Sequence, residues 1–261
     1  MKINNFLYSK KIPVITRILT FSSLIALALL TLYSVCPAPV AADDKVNKEF
    51  EYTVYLAGFI AGKAVMKYDS TAEGIKIRTR ATSTGIISLF YKIDDVSESI
   101  LYPDGYPRSN KLKIRQGRRK RDKKTVFERL EDGRSHKVIF RDLINNKHVE
   151  HDLDRPAYDI LSAFYALSKR NLQVGTSEYL DVFDNNKLYN IEVKILRKER
   201  VSVPAGDFDT IVIKPNLKSE GIFMRKGDMY IWLTDDDRKL PVIVKSKIKV
   251  GHFTAKLKKG S

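Results

Sequence analysis

The sequence predicts a mostly all-β protein: a single antiparallel sheet, curved into a barrel-like or spiral form, with one helix in the middle of the chain as cap or plug. Three observations predict it. Apolar residues recur at every second position along most of the chain, turn residues fall between these runs at hairpin distances, and only one stretch has helical spacing. Composition agrees: 261 residues, 43% hydrophobic and 30% charged, with 13 Gly, 9 Pro and one Cys. Collagenous, low-complexity, disordered and disulfide-framed chains are thereby excluded.

The first 42 residues read as an export address. Lys2, Lys10, Lys11 and Arg17 precede an apolar run from Ile18 to Leu32, and Pro37, Pro39 and Val40-Ala41-Ala42 then lead to Asp43. A basic region, an apolar core and a small-residue cut site define a secretory signal, with cleavage expected after Ala42. The apolar run is shorter than a membrane-spanning helix requires, which disfavours an uncleaved anchor. Cys36 follows Tyr33-Ser34-Val35, a poor match to a lipid-attachment site. The mature chain, 43–261, is then cysteine-free and periplasmic, and is expected to form a single β-rich domain held by its core alone. Two separate β domains are the alternative, which no Pro/Gly/Ser-rich linker supports.

Strands follow in order. Phe50, Tyr52, Val54 and Leu56 share a face, as do Ile75, Ile77, Thr79 and Ala81, whose opposite face carries Lys76, Arg78 and Arg80. Leu112 and Ile114 alternate with Lys111, Lys113 and Arg115, and further runs centre on Val193, Thr210, Trp232 and Val244. Turns are predicted at Pro103-Asp104-Gly105, Asp132-Gly133, Asn145-Asn146, Asp184-Asn185-Asn186, Lys226-Gly227-Asp228 and Asp235-Asp236-Asp237. After Gly251 the apolar parity switches to Phe253, Ala255 and Leu257, which predicts a bulge at Gly251 bending the last strand. Between the two groups of strands, Ile160, Leu161, Phe164 and Leu167 stand at helical spacing behind Pro156, predicting a helix over about 156–170.

The run Val203-Pro204-Ala205-Gly206-Asp207-Phe208-Asp209-Thr210 resembles the V-P-A-G-x-F-x-T turn of a bacterial exported family, domain of unknown function 3108. Gly58 and Gly62, Thr84-Gly85 with the stretch to Tyr91, Asp159 to Tyr165, and Ile231-Trp232-Leu233-Thr234 before Pro241 stand in the same order as that family's landmarks, over about residues 48–258. The resemblance implies a periplasmic β-rich protein with no established activity, and it assigns no catalytic residues. Read physically, the same residues are structural anchors: Gly58 and Gly62 belong to the first hairpin, Pro204 and Gly206 make a tight turn that sends Phe208 back into the sheet, Gly251 bends the last strand, and Trp232 supplies a large apolar anchor.

The strongest charged feature is Lys111, Lys113, Arg115, Arg118, Arg119, Lys120, Arg121, Lys123 and Lys124, broken only by Asp122, within a net charge of +16. On a hairpin these nine cations would bind anionic groups such as phosphates or carboxylates. A lysine-rich edge that blocks strand addition is the alternative reading. For an exported protein the fitting partners are an anionic envelope lipid, polymer or peptide, with peripheral membrane contact, and not nucleic acid.

No catalytic constellation is visible. His148 and His151 point to opposite faces of a strand, so no metal site is expected, and Asp235 to Asp237 lacks the spacing of a calcium loop. No nucleophile elbow or cofactor motif is present, and neither a cofactor nor an enzyme activity is expected. The expected function is therefore a non-catalytic envelope protein that binds a hydrophobic or anionic component, a lipid or an extended peptide. An envelope scaffold without an internal ligand is the alternative, and a hydrolase with a scattered site is a third class. An outer-membrane barrel is disfavoured because alternate strand positions carry lysine and arginine.

Overall fold

The computed structural model describes residues 46–130, 136–216, 229–248 and 251–260. The predicted leader and the turns predicted at Asp132-Gly133 and Lys226-Gly227-Asp228 lie outside them. Residues 45–261 form a compact unit of their own.

Among the described residues, fourteen strands make one open antiparallel sheet. They are β1 (Val46–Leu56), β2 (Phe59–Thr71), β3 (Gly74–Ser83), β4 (Asp94–Leu101), β5 (Pro107–Gln116), β6 (Arg119–Arg129), β7 (His136–Asp142) and β8 (Lys147–Leu153), followed by β9 (Ser177–Asp184), β10 (Lys187–Val203), β11 (Gly206–Pro215), β12 (Met229–Thr234), β13 (Pro241–Ile248) and β14 (Gly251–Gly260). Helix α1 (Gly85–Phe90) joins β3 to β4, and α2 (Ile160–Ser168) lies between β8 and β9. Neighbours in the sheet are neighbours in the chain except where β1 pairs with β14, so β8 and β9 are the two free edges.

The sheet curls around α2. Leu161 and Tyr165 pack on Ile75, Ile77 and Leu101 of β3 and β4, whereas Ala163 and Leu167 pack on Leu180, Ile191, Ile213 and Ile231 of β9 to β12. A single helix can touch strands so far apart in sheet order only if the sheet wraps it. Bulges at Glu51/Tyr52, Val54/Tyr55, Ile100/Leu101 and Ile195/Arg197 supply local bends.

The free edges meet through side chains. His151 of β8 bonds the Asn186 side chain at 2.9 Å and lies edge-on to Phe183, and Phe140 and Phe183 approach across the same seam. The β9 edge is partly occupied by Tyr158, whose N–H donates to Asp181 O and whose carbonyl accepts from Phe183 N. This pairing holds Tyr158 extended, so the helix starts at Ile160 and not near Pro156. Asp159 is its cap.

Two-residue turns of type I′ account for two hairpins: Ala57-Gly58 (φ 49° and 91°) and Asn185-Asn186 (φ 50° and 66°). Gly62 has a different role, since a Cβ there would sit 2.2 Å from the Thr82 carbonyl oxygen on β3. Pro204 and Ala205 turn β10 into β11, closing Val203 onto Gly206. The tip of this hairpin reaches over β14: Ala205 N donates to Leu257 O, and Val203 and Phe208 pack on Tyr52, Val242 and Leu257.

Three expectations are corrected. The parity switch at Gly251 marks a chain reversal, because Gly251 opens β14 and pairs with Ile248 of β13; no bulge within one strand is involved. Trp232 is half-buried on the face opposite Ile231 and Leu233, where it crosses Val212 and its Nε1–H donates to Glu199. It covers the outside of β11 and is not an anchor of the inner core. Finally α1, part of a run read only as apolar-aromatic, is a second short helix.

Candidate functional site

The inner face of the sheet carries an apolar cleft beside α2. Ile160, Ala163, Phe164 and Leu167 of the helix face Leu180, Val182, Ile191 and Val193 of β9 and β10, with Ile213, Met229 and Ile231 behind them. Tyr189, Pro215 and Asp184 complete the lining, and the cavity measures about 60 Å³. A single water needs roughly 10–15 Å³ by such a measure, so there is space for the end of an alkyl chain or one apolar side chain. The helix is fixed there because its apolar residues recur every three to four positions and its start is capped from inside the sheet.

That cap is a buried polar cluster. Asp159 Oδ1 accepts from Leu161 N (2.9 Å), Ser162 N (3.3 Å) and Asn110 Nδ2 (3.3 Å), and Oδ2 accepts from the hydroxyls of Ser99 (2.7 Å) and Ser162 (2.8 Å). Burial pushes the Asp159 carboxyl above its ordinary value, while the Ser99 and Ser162 donors pull it back. With its lone pairs committed to the helix start and to β4 and β5, this carboxylate is a positioning group and not a free acid or base.

Lys123 lies beside it. Its side chain points inward, donates to Asn185 Oδ1 and stands over the Phe140 ring at 5.4 Å. Burial lowers its affinity for a proton, as does the neighbouring Arg121 charge, while Asp142 and Asp184 act in the opposite sense. Ser97, Asn110, Thr125 and Asp184 line the same small polar space. Farther along, Tyr106 shares a hydrogen bond with His136 Nδ1 at 3.1 Å, and burial pushes its hydroxyl up to about 12.

The nine predicted cations do fall on one hairpin, but not on one face. Cross-strand pairs Lys111/Lys124, Lys113/Asp122 and Arg115/Lys120 share the outer face, whereas Leu112/Lys123, Ile114/Arg121 and Gln116/Arg119 share the inner one. Arg118 sits at the turn. Arg115 is committed to the hairpin, bonding the Ile114 and Arg121 carbonyls and Asp122. A single patch of nine is thus replaced by an outer basic ladder and an inner set of three, of which Lys123 lines the polar space.

Other predicted positions are also placed. Asp236 organises the β12–β13 turn, accepting from Thr234 Oγ1, Arg238 N and the Arg238 guanidinium. His148 is exposed on β8, and among the described residues no three His, Cys, Asp or Glu side chains are grouped to share a metal ion. Sequence reasoning left open whether the sheet holds a cleft and could not locate it, because residues that line a space and residues that fill one have the same apolar alternation.

An open, barrel-like antiparallel sheet wound on one internal helix defines the class. The chain belongs to the family described as "Protein of unknown function (DUF3108)", which it matches over residues 51–258. Among solved structures it is similar to a beta-barrel-like protein of domain of unknown function DUF1849 from Brucella abortus, at 13% identity and a TM-score of 0.57, covering 84% of this chain and 99% of that one. A protein from Bacteroides fragilis described as exported, with a YmcC-like fold, aligns at 10% identity and a TM-score of 0.34 over 82% of this chain and 95% of that one. No curated protein matches the chain.

Proposed function

We propose that the protein is an exported, non-catalytic binding protein of the cell envelope that takes an apolar group, the end of an acyl chain, into the cleft beside α2. The observation that carries this reading is the cleft's lining, almost wholly apolar and drawn from α2 and four successive strands. An apolar space with such a lining is what the end of an acyl chain would fill. The polar space at Lys123 and Asn185 offers a cation and amide beside it for an anionic or carbonyl group at the ligand's head. The basic, then apolar, leader supports export, with Asp43 as the first mature residue.

The test is to express the full chain with its leader, recover it from the periplasm under native conditions and analyse extracted small molecules by mass spectrometry. A stoichiometric lipid or fatty acid is expected on the wild type. Its loss is expected in Ala163→Leu, which fills the cleft from the helix. Reproducible emptiness of the wild type overturns the reading and favours a scaffold role. A copurifying peptide would replace the acyl ligand with an extended chain.

A further inference from the structure

One end of the sheet is apolar and basic where turn tips are ordinarily polar. In an uninterrupted antiparallel meander the β1–β2, β3–β4, β5–β6 and β7–β8 connections all lie at the same end. At that end Phe59 and Ile60 open β2 with 76% and 63% exposure, Leu89 and Phe90 of α1 are 81% and 85% exposed, and Leu143 and Ile144 follow β7 at 59% and 49%. The opposite end, which includes the β2–β3, β4–β5 and β12–β13 turns, carries Glu73, Asp104 and Asp235 to Asp237, with Asp104, Asp235 and Asp236 paired to Arg129, Lys198 and Arg238, and Leu130 after β6 is 38% exposed there.

The apolar tips are tied together. Thr84 N, just before α1, donates to Ala61 O of β2 at 3.0 Å. Gly117 N, at the tip of the basic hairpin, donates to Lys92 O at 2.9 Å, and Gln116 bridges to Ile93. Leu143 N donates to Asp122 O at 2.8 Å. These bonds place Lys92, Arg118 and Lys120, all exposed, next to the apolar residues, with exposed Lys147 beyond Ile144. The nearby acids are committed elsewhere: Asp94 to Arg80 at 2.9 and 3.0 Å, Asp95 to Arg115 N and the Gln116 side chain, and Asp142 to the amides of its own turn.

We propose that this end of the sheet docks on an anionic lipid bilayer, its apolar tips entering the interface and its cations meeting headgroup phosphates. Several large side chains projecting from separate turns present no groove or flat face for a folded partner, but a fluid interface accepts each one independently. The flanking positive charge selects an anionic surface, and the apolar tips fix which end of the molecule meets it. The inference stands apart from the cleft: it needs no internal ligand.

The probe is a vesicle of 70% phosphatidylcholine and 30% phosphatidylglycerol, against vesicles of phosphatidylcholine alone. Residues 43–261, which contain the whole compact unit, are used so that the leader does not contribute. Pelleting with the anionic vesicles is expected. Leu89→Gln with Phe90→Gln is expected to weaken it on the order of a hundredfold, since each side chain gives up the burial of a large apolar group. Arg118→Glu with Lys120→Glu is expected to weaken it on the order of tenfold or more, in a salt-dependent way. Because these positions are exposed, the variants keep the wild-type urea midpoint. A Phe90→Trp reporter should shift its emission to the blue and be quenched by brominated lipid, measured against wild type, whose Trp232 is the blank. An unshifted reporter overturns the proposal, as does pelleting that survives removal of Leu89 and Phe90. So would concentration-dependent dimerisation lost with those two residues and no vesicle binding, which would make the end a self-association surface.

Discussion

Asp159 is where the helix, the sheet and pH meet, and its replacement by alanine should be the most informative single change. The substitution removes the cap of α2, worth about 1 kcal/mol. It also takes away the acceptor of Ser99, whose hydroxyl is fully buried, at a further ~2 kcal/mol for a stranded donor. Ser162 suffers less, because its hydroxyl also bonds the Asp159 carbonyl at 3.0 Å, which alanine retains. The expected loss is therefore about 3–4 kcal/mol, read as a lower urea midpoint with an unchanged slope. Asp159→Asn keeps one acceptor oxygen for the helix amides, and the two hydroxyls can rotate to accept, so it should cost about 1 kcal/mol. The pair also separates charge from shape. Burial raises the Asp159 carboxyl in the folded state above its value of 3.8 in the open chain. Between those two values the folded state holds more protons than the unfolded state, so this group's contribution to stability grows as pH falls through the window. Asparagine cannot titrate; hence the stability gap between wild type and Asp159→Asn should move in favour of wild type from neutral pH down to about pH 4. A loss below 1 kcal/mol for Asp159→Ala, or a gap that is flat with pH, would refute the buried, hydrogen-bonded carboxylate.

Two further substitutions test the packing. Gly62→Ala forces a methyl to within 2.2 Å of the backbone oxygen of Thr82, which no side-chain rotation can relieve, so a loss on the order of 3 kcal/mol is expected in a urea titration; a neutral result would place β2 and β3 farther apart. Trp232→Ala and Ile231→Ala compare the two faces of β12. The fully buried isoleucine should cost about 4 kcal/mol and the half-buried tryptophan about 2, and equal losses would contradict the outward placement of the indole.

Strand alternation carried most of the fold. Ile75 and Ile77 are buried while Arg78 and Arg80 face solvent, as the period of two requires, and Asp184-Asn185-Asn186 makes the tight turn its residues favour. Where the sequence misled, a strand was apolar on both faces or a turn was hidden. On β12, Ile231 and Leu233 flank Trp232, so alternation could not say which set faces inward. Near Gly251 the parity switch was visible, but a bend within one strand and a reversal between two both produce it. The basic hairpin shows the converse: its position was legible, but the sides of its charges depend on register. Once Leu112 and Ile114 face inward, their partners Lys123 and Arg121 must follow.

The apolar end was hidden for a different reason. Phe59-Ile60, Leu89-Phe90-Tyr91 and Leu143-Ile144 each sit beside runs of strand residues, and each alone passes for a strand terminus or a fragment of core. What marks them is topology. Counting strands along a meander alternates its connections between two ends, and these three apolar pieces all fall on connections that leave an odd-numbered strand. Among the described residues, the hairpin connections that leave an even-numbered strand expose less apolar bulk, Leu130 after β6 at 38%, and carry Glu73, Asp104 and Asp235 to Asp237; acids stand at the other end too, Asp94, Asp95 and Asp142, so the division is one of apolar bulk. Stability alone gives no reason to divide residues this way, because a turn tip at either end is equally wet and contributes equally little to the core. A division by end therefore points to a constraint outside the folded chain, and a surface that meets only one end of the molecule is the simplest source of it.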